Sequence, residues 1–451
     1  MQNLESQHIQ KKPWHIDLKK ISFIPLKAIP WIIWSIVGLY YFYEIILRVL
    51  PSTMRMEFIQ NFQINATQFG MFTSLYYVSY VFMQIPAGLI VDRFSIRKTL
   101  FTACLLCISG LIIVHSSNHI WVAFIGRFVI GFGSAFAYVY TLKVATIWLP
   151  QNHFGLATCI ADSLGMIGAM FADIVFVKIN LSMGTHNSVL TLVITGCVIA
   201  MLIFFVFRDK PDTKKNRELN KEDTRDVMHI FEKLGRILRN KQIWLIGIVG
   251  CLFYLPASVM GDVWGIPYLK TVYHFTQKEA GYMISAFFFG WVIAGPFLGA
   301  ISDSIGLRCL PMKLTILLDA LLLSIIIFAP PLTGHLLPTW LVFLFFFFIG
   351  VSTGTHPLVF ALAKENFPNR IAGTVVATIN MLTMLGGLIF QPLVGYLLDW
   401  HHHTTNAMGA VKDYTAANYT FALSIVPISL IICLIVMMFI KETGERAQKP
   451  I

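Results

Sequence analysis

The sequence predicts an all-α integral membrane protein of twelve transmembrane helices in two pseudo-symmetric six-helix halves. Three observations predict it. Of 451 residues, 56% are hydrophobic and only 13% charged, against about 25% charged in an ordinary soluble domain. The apolar residues fall in blocks of roughly 20 to 27, the length a helix needs to cross a hydrocarbon core about 30 Å thick. A charged motif that follows the second block recurs after the eighth, the mark of an internal repeat. Lipid offers the backbone no hydrogen bonds, and blocks this long are not barrel strands, so each crossing should be helical.

In chain order the blocks cover roughly 29–51, 67–90, 98–115, 119–143, 154–178 and 188–207 in the first half, each about the length of one span. The second half places them at roughly 243–269, 279–301, 311–330, 338–363, 372–398 and 416–440. Between them, 208–242 carries both charge signs and reads as a cytoplasmic linker, flanked by bundles at 29–207 and 243–440. Residues 1–28 and 441–451 read as cytoplasmic terminal segments, the first rich in Lys and lacking a small-residue cleavage site. An even number of crossings and the basic loops near Arg97, Lys143, Arg308 and Arg370 put both termini on the cytoplasmic side.

The net charge of +11 is accounted for by those loops, so no nucleic-acid partner is implied. Seven cysteines lie in or beside apolar blocks, where Cys packs as a small hydrophobe; Cys104 and Cys107 have C-x-x-C spacing without further ligands. The run His401 to His403 likewise lacks companions, and we expect neither metal nor cofactor.

The repeated motif reads Gly88-Leu-Ile-Val-Asp92-Arg93-Phe-Ser95-Ile-Arg97 and Gly299-Ala-Ile-Ser-Asp303-Ser-Ile-Gly306-Leu-Arg308. Both fit G-x-x-x-D-x-x-[GS]-x-R. The fourth block carries Arg127-Phe-Val-Ile-Gly131-Phe-Gly133-Ser-Ala135, an R-x-x-x-G-x-G-x-A pattern whose small residues permit close helix packing. Over nearly its whole length the chain therefore resembles the major facilitator superfamily. That resemblance implies a conformational latch formed by Gly88, Asp92, Arg93, Arg97, Gly299, Asp303 and Arg308, with the glycines admitting a neighbouring helix. Ser95 stands where the family usually has Gly. For Arg127 the resemblance implies a part in proton coupling or in holding one conformation; the alternative is an Arg bound to backbone carbonyls or reaching the outer headgroups.

The first block is the most informative. Tyr40, Glu44 and Arg48 are four apart and form a polar stripe on an apolar helix. An Arg within the membrane costs about 2.5 to 3.5 kcal/mol even on the lenient insertion scale, so it should face a cavity. Functionally, Arg48 binds a carboxylate or phosphate while Glu44 competes for it and titrates; structurally, Glu44 only neutralises Arg48. The Tyr-rich run, the Arg and Pro51-Ser-Thr-Met54 resemble the first helix of organic anion and sugar-phosphate transporters, and Phe42-Tyr43-Glu44 that of nutrient transporters of intracellular gammaproteobacteria.

Elsewhere Asp162 and Asp173 share a face of the fifth block; one of them, Asp162 in particular, is a candidate proton site, the alternative for each being an inter-helix hydrogen bond or a terminal cap. Tyr254, Ser258 and Asp262 form a stripe in the seventh block, where Pro256, Gly261, Gly265 and Pro267 predict a broken helix; Tyr254 is the expected solute contact. His356, between Thr355 and Pro357, either carries a proton or only satisfies backbone groups freed by the proline, and Asn380 and Gln391 can hydrogen-bond a solute or a neighbouring helix.

The expected function is secondary active transport, by alternating access, of a small carboxylate- or phosphate-bearing metabolite (organic acid, sugar phosphate or amino acid) in symport with H+. Its alternative is proton-antiport efflux of drugs or metabolites, for which an Arg in the first helix is unexpected. We read no H-E-x-x-H motif, no G-x-S-x-G nucleophile elbow and no phosphate-binding loop, so neither an enzyme nor ATP-driven pumping is expected. The expected setting is a bacterial inner membrane, with membrane lipid and the solute as partners and the chain a monomer.

Overall fold

Deprived of water, a backbone must pair with itself, and the described residues are helical with no strand. The computed structural model describes residues 28–149, 154–209, 235, 237–367, 372–405 and 414–443. Most of the expected linker, nearly all of both terminal segments, Arg370 and the side chains of Asp92 and Arg93 lie outside the described residues.

The first half comprises α1 (Ile29–Thr53), α2 (Ala66–Arg93), α3 (Ile96–Ser116), α4 (Ile120–Trp148), α5 (154–183) and α6 (185–205). The second comprises α7 (Lys241–Val272), α8 (Gln277–Ile305), α9 (Cys309–Thr333), α10 (Thr339–Glu365), α11 (Ala372–Thr405) and α12 (Ala416–Met437). A short helix, Arg55–Phe62, follows α1. Ten helices among the described residues are long and apolar enough to cross a membrane. One of them, Ile160–Phe205, runs for 46 residues and breaks at Gly184, whose φ of 76° and ψ of 164° separate α5 from α6. The twelfth is α2, 28 residues long with four of its last five side chains outside the described ones.

The internal repeat extends to the helix ends. α2 and α8, equivalent in the two halves, both begin with a capping box, Asn65 with Gln68 and Thr276 with Glu279. α4 and α10 are both interrupted midway, between Ser134 and Ala137 and between Thr353 and Leu358. An acid just past the last helix of each half caps the start of the third. Asp209 accepts from Ser95 Oγ (2.5 Å) and Arg97 N (3.2 Å), and Glu442 accepts from Arg308 N (2.7 Å) and Cys309 N (2.8 Å).

The halves press together closely at one end. At the end opposite the termini, a Cβ on Gly70 would lie 2.6 Å from the Gln391 carbonyl oxygen, one on Gly395 2.2 Å from that of Ala66, and one on Gly281 2.6 Å from that of Asp173. Asp399 of α11 reinforces this seal by capping α2, accepting from Thr67 N (2.8 Å), Thr67 Oγ1 (2.5 Å) and Ala66 N (3.3 Å). At the end carrying the termini, a Cβ on Gly88, Gly299 or Gly373 would meet nothing within 4 Å among the described residues. The sequence suggests that Gly88 admits a neighbouring helix; no described residue stands against it in this conformation.

Candidate functional site

Pro51 has no N–H, so the Leu47 carbonyl in α1 lacks its usual donor four residues on. Arg127 supplies one: Nη1 donates to Leu47 O (2.7 Å) and Nη2 to Arg48 O (2.7 Å), with the guanidinium 5.0 Å from the Tyr76 ring. Arg127 thus occupies the carbonyl-binding position that the sequence leaves open as its structural alternative. Its bonds fix the turn of α1 that carries Arg48.

Arg48 points across the boundary between the halves into α7. Its Nε lies 3.3 Å from Asp262 Oδ2, and its Nη2 donates to Tyr254 Oη (3.0 Å) and, at 3.5 Å, to Asp262 Oδ1. The Nε contact is not aligned as a hydrogen bond, so this nitrogen has no hydrogen-bond partner although Arg48 is buried. Tyr77 of α2 donates to Asp262 Oδ2 at 2.5 Å. The backbone permits this meeting because α7 widens into a π-helical turn at Pro256–Trp264. Tyr254 and Asp262 flank Ser258 there, as the stripe predicts, and the Ser258 carbonyl accepts from Gln391 Nε2 (2.7 Å).

The i, i+4 spacing points to Glu44 as the partner of Arg48, and the structure corrects this. Glu44 Oε2 accepts from Tyr76 Oη at 2.7 Å, facing its own half, while Arg48 reaches the other. Tyr40 also turns away: its hydroxyl donates to Gly133 O (2.9 Å) and lies 3.5 Å from Cys107 Sγ. The three residues share a helix face, but α2 and α4 take the first two and α7 takes the third.

His356, in the interruption of α10, brings its ring to 5.1 Å from that of Tyr254 and its Nε2 to 3.2 Å from Gly250 O. It therefore stands one ring from Arg48. Asn380 donates to Gln84 Oε1 (2.9 Å), joining α11 to α2. Asp162 is half-buried and packs within the first half against Tyr138. Asp173 sits on a second π-helical turn, Phe171–Phe176, buried with neither carboxylate oxygen hydrogen-bonded.

At the repeated motif, Arg308 pairs with Asp303 (2.5 Å) and Glu365 (3.0 Å), binding α8 to α10 within the second half. In the first half, Asp92 and Arg93 lie in α2 with undescribed side chains, and Arg97 donates its backbone N–H to Asp209.

Tyr76, Tyr77 and Asp319 are functional candidates that sequence reasoning passed over. The tyrosines look like packing residues in an aromatic run; only the acids they meet give them another role. Asp319, alone in the apolar run of α9, is fully buried and accepts from Thr353 Oγ1 (2.9 Å). A lone acid in an apolar helix was the available signal. Gly350-Val-Ser352-Thr-Gly354 fits the G-x-S-x-G pattern of hydrolases, but Ser352 is buried in α10 rather than displayed on a strand-to-helix elbow. Among the described residues no three potential metal ligands converge.

Comparison with known proteins agrees with this architecture. The sequence profile described as Major Facilitator Superfamily matches residues 32–391 and 265–450. The "Probable sulfoacetate transporter SauU" of Cupriavidus necator is 23% identical over 379 residues, 81% of this chain and 86% of that one. The "Lysosomal dipeptide transporter MFSD1" of Danio rerio is 25% identical over 378 residues, 77% and 76% of the two. A crystal structure of a bacterial homologue of the human lysosomal transporter Spinster, inward-facing and unoccupied, superposes with a TM-score of 0.70 at 13% identity, covering 92% of this chain and 97% of that one.

Proposed function

The chain belongs to the major facilitator superfamily, multi-pass membrane proteins that carry solutes rather than catalyse reactions, and from that premise we propose that it moves a small carboxylate- or phosphate-bearing metabolite in symport with H+, Arg48 receiving the anionic group. The observation that carries this reading is the incompletely bonded guanidinium of Arg48, buried where the halves meet. A solute carboxylate would offer it a bidentate partner in place of the loose contact with Asp262.

Arg48 is tied to the second half through Asp262 and Tyr254. A solute that takes over the guanidinium frees Asp262 to accept a proton, so solute and proton enter together and the tie between halves is rewritten. This is the differential contact that alternating access requires. Tyr254 and His356 extend the site, and Glu44 with Tyr76 supplies a second carboxylate beside it. Two similarities point the same way. Sulfoacetate, named for the relative from Cupriavidus necator, is a small carboxylate-bearing anion, and a dipeptide also ends in a carboxylate.

In the same reading the chain lies as a monomer in a bacterial inner membrane with both termini cytoplasmic, and the sealed end faces away from the cytoplasm. The test is uptake into proteoliposomes, with and without a proton gradient, of organic acids, sugar phosphates and amino acids by wild type and Arg48→Gln. Gradient-driven uptake of an anionic solute by wild type, lost in the variant, supports the reading. Gradient-driven extrusion of amines or apolar compounds, equal in both proteins, would replace it with efflux.

A further inference from the structure

One cavity takes no part in the site above. It has a volume of about 270 Å³ and lies at the sealed end, where α1, α5, α7 and α8 terminate. Arg55 and Glu57 of the short helix and Asn180 of α5 line it from the first half, and Lys270 of α7 and Gln277 of α8 from the second. Two pairings exist within the wall: Asn180 Nδ2 donates to Glu57 Oε1 (3.0 Å), and Lys270 Nζ donates to Gln277 Oε1 (3.0 Å).

What remains unpaired is chemically sorted. Arg55 Nε and Nη2 and Gln277 Nε2 are buried donors without acceptors, and Glu57 Oε2 and Asn180 Oδ1 are buried acceptors without donors. The Arg55 guanidinium rests 5.4 Å from the Trp264 ring and 5.7 Å from that of Phe69. Those faces can share its charge but cannot accept its in-plane N–H groups. An orphaned buried polar atom costs about 1–3 kcal/mol, and five of them belong to side chains that line this one cavity.

We propose that this cavity is a second solute site that binds a small amino-acid zwitterion. Its carboxylate is held by Arg55, Lys270 and the Gln277 amide, and its ammonium by Glu57 and the Asn180 carbonyl. A simple carboxylate or phosphate would leave both acceptors unpaired and be repelled by Glu57; a simple amine would face two cations. Only an occupant bearing both charges answers both sets. Because the two halves supply opposite parts of the wall, the occupant bridges them at the sealed end and favours the sealed conformation. The inference does not depend on the role assigned to Arg48.

The test is equilibrium dialysis of labelled alanine, propionate and ethylamine against the full chain in lipid nanodiscs, carried out in the Arg48→Gln background so that the central site does not contribute. Arg48→Gln should bind alanine at least tenfold more tightly than either single-charge analogue. Adding Glu57→Gln or Arg55→Gln should each cost tenfold or more. Glu57→Gln is isosteric and changes a partly exposed side chain, so it stays informative if Arg55→Gln fails to fold. Equal binding of alanine with and without Glu57→Gln would overturn the proposal, as would propionate binding as well as alanine in that background, or no alanine binding to wild type at millimolar concentration. Alanine binding by wild type that is absent from Arg48→Gln at millimolar concentration would assign the amino acid to the central site and remove it from this one.

Discussion

Replacing Asp399 by Asn should shift the protein from its sealed conformation toward one open at the end opposite the termini. Asp399 accepts from Ala66 N, Thr67 N and Thr67 Oγ1 at the start of α2, bonds that exist only while the two halves touch there. It also accepts from Tyr414 Oη, within its own half, and that bond persists when the halves part. Asn keeps one acceptor oxygen and turns an NH2 group toward the remaining donors. At least one charge-assisted bond is lost, at about 1.5–3 kcal/mol, together with a favourable charge at the positive end of α2 worth about 0.5 kcal/mol. A net change of about 2 kcal/mol moves a two-state equilibrium about thirtyfold. Spin labels at Leu181 and Leu332, exposed by 75% and 82% at the sealed ends of α5 and α9, would report the separation by double electron–electron resonance. Under lipid conditions where wild type populates both distances, Asp399→Asn should transfer most of the population to the longer one. An unchanged distribution would mean that the cap does not hold the seal, and the reasoning from bonds across the halves would fail.

Three further outcomes follow from the same geometry. Gly395→Ala should open the sealed end in the same labelled pair, because its Cβ would stand 2.2 Å from a backbone oxygen that cannot rotate aside. Asp262→Ala should lower the melting temperature more than Arg48→Ala combined with Asp262→Ala, since stranding one buried charge costs about 3–5 kcal/mol and removing both strands none; equal melting temperatures would contradict the pairing. Arg127→Lys should destabilise the protein by about 2 kcal/mol, because an ammonium cannot fork to both carbonyls, while leaving the proton dependence of uptake intact; loss of proton dependence without loss of stability would return Arg127 to coupling.

The fold was legible because lipid makes its demands locally. Block length, loop charge and the paired motifs specify twelve crossings without reference to any contact. The break between α5 and α6 fell where a polar run around Gly184 interrupts the apolar pattern, and the π-helical turn of α7 fell among the prolines and glycines that predict a broken helix. Contacts between helices were less legible. Tyr40, Glu44 and Arg48 share a stripe, yet the stripe is wide enough to touch three neighbours, and spacing along α1 cannot say which residue meets which. Arg127 was ambiguous for a different reason: its partners are backbone carbonyls, and only the missing N–H of Pro51, 76 positions away, hints at them. Gly88 and Gly299 read as close-packing positions, and no described residue stands within 4 Å of a Cβ placed on either.

The acids past α6 and α12 have a mechanical consequence. Asp209 fastens the exit of α6 to the start of α3, and Glu442 fastens the exit of α12 to the start of α9. Each six-helix bundle is thereby buckled shut on itself before the chain leaves it. Tension along the connection between the bundles arrives at a clamped corner instead of peeling away the final helix. A cut made between residues 210 and 234 would leave both buckles fastened, and two separately synthesised halves would each possess everything needed to hold their own shape while they find one another.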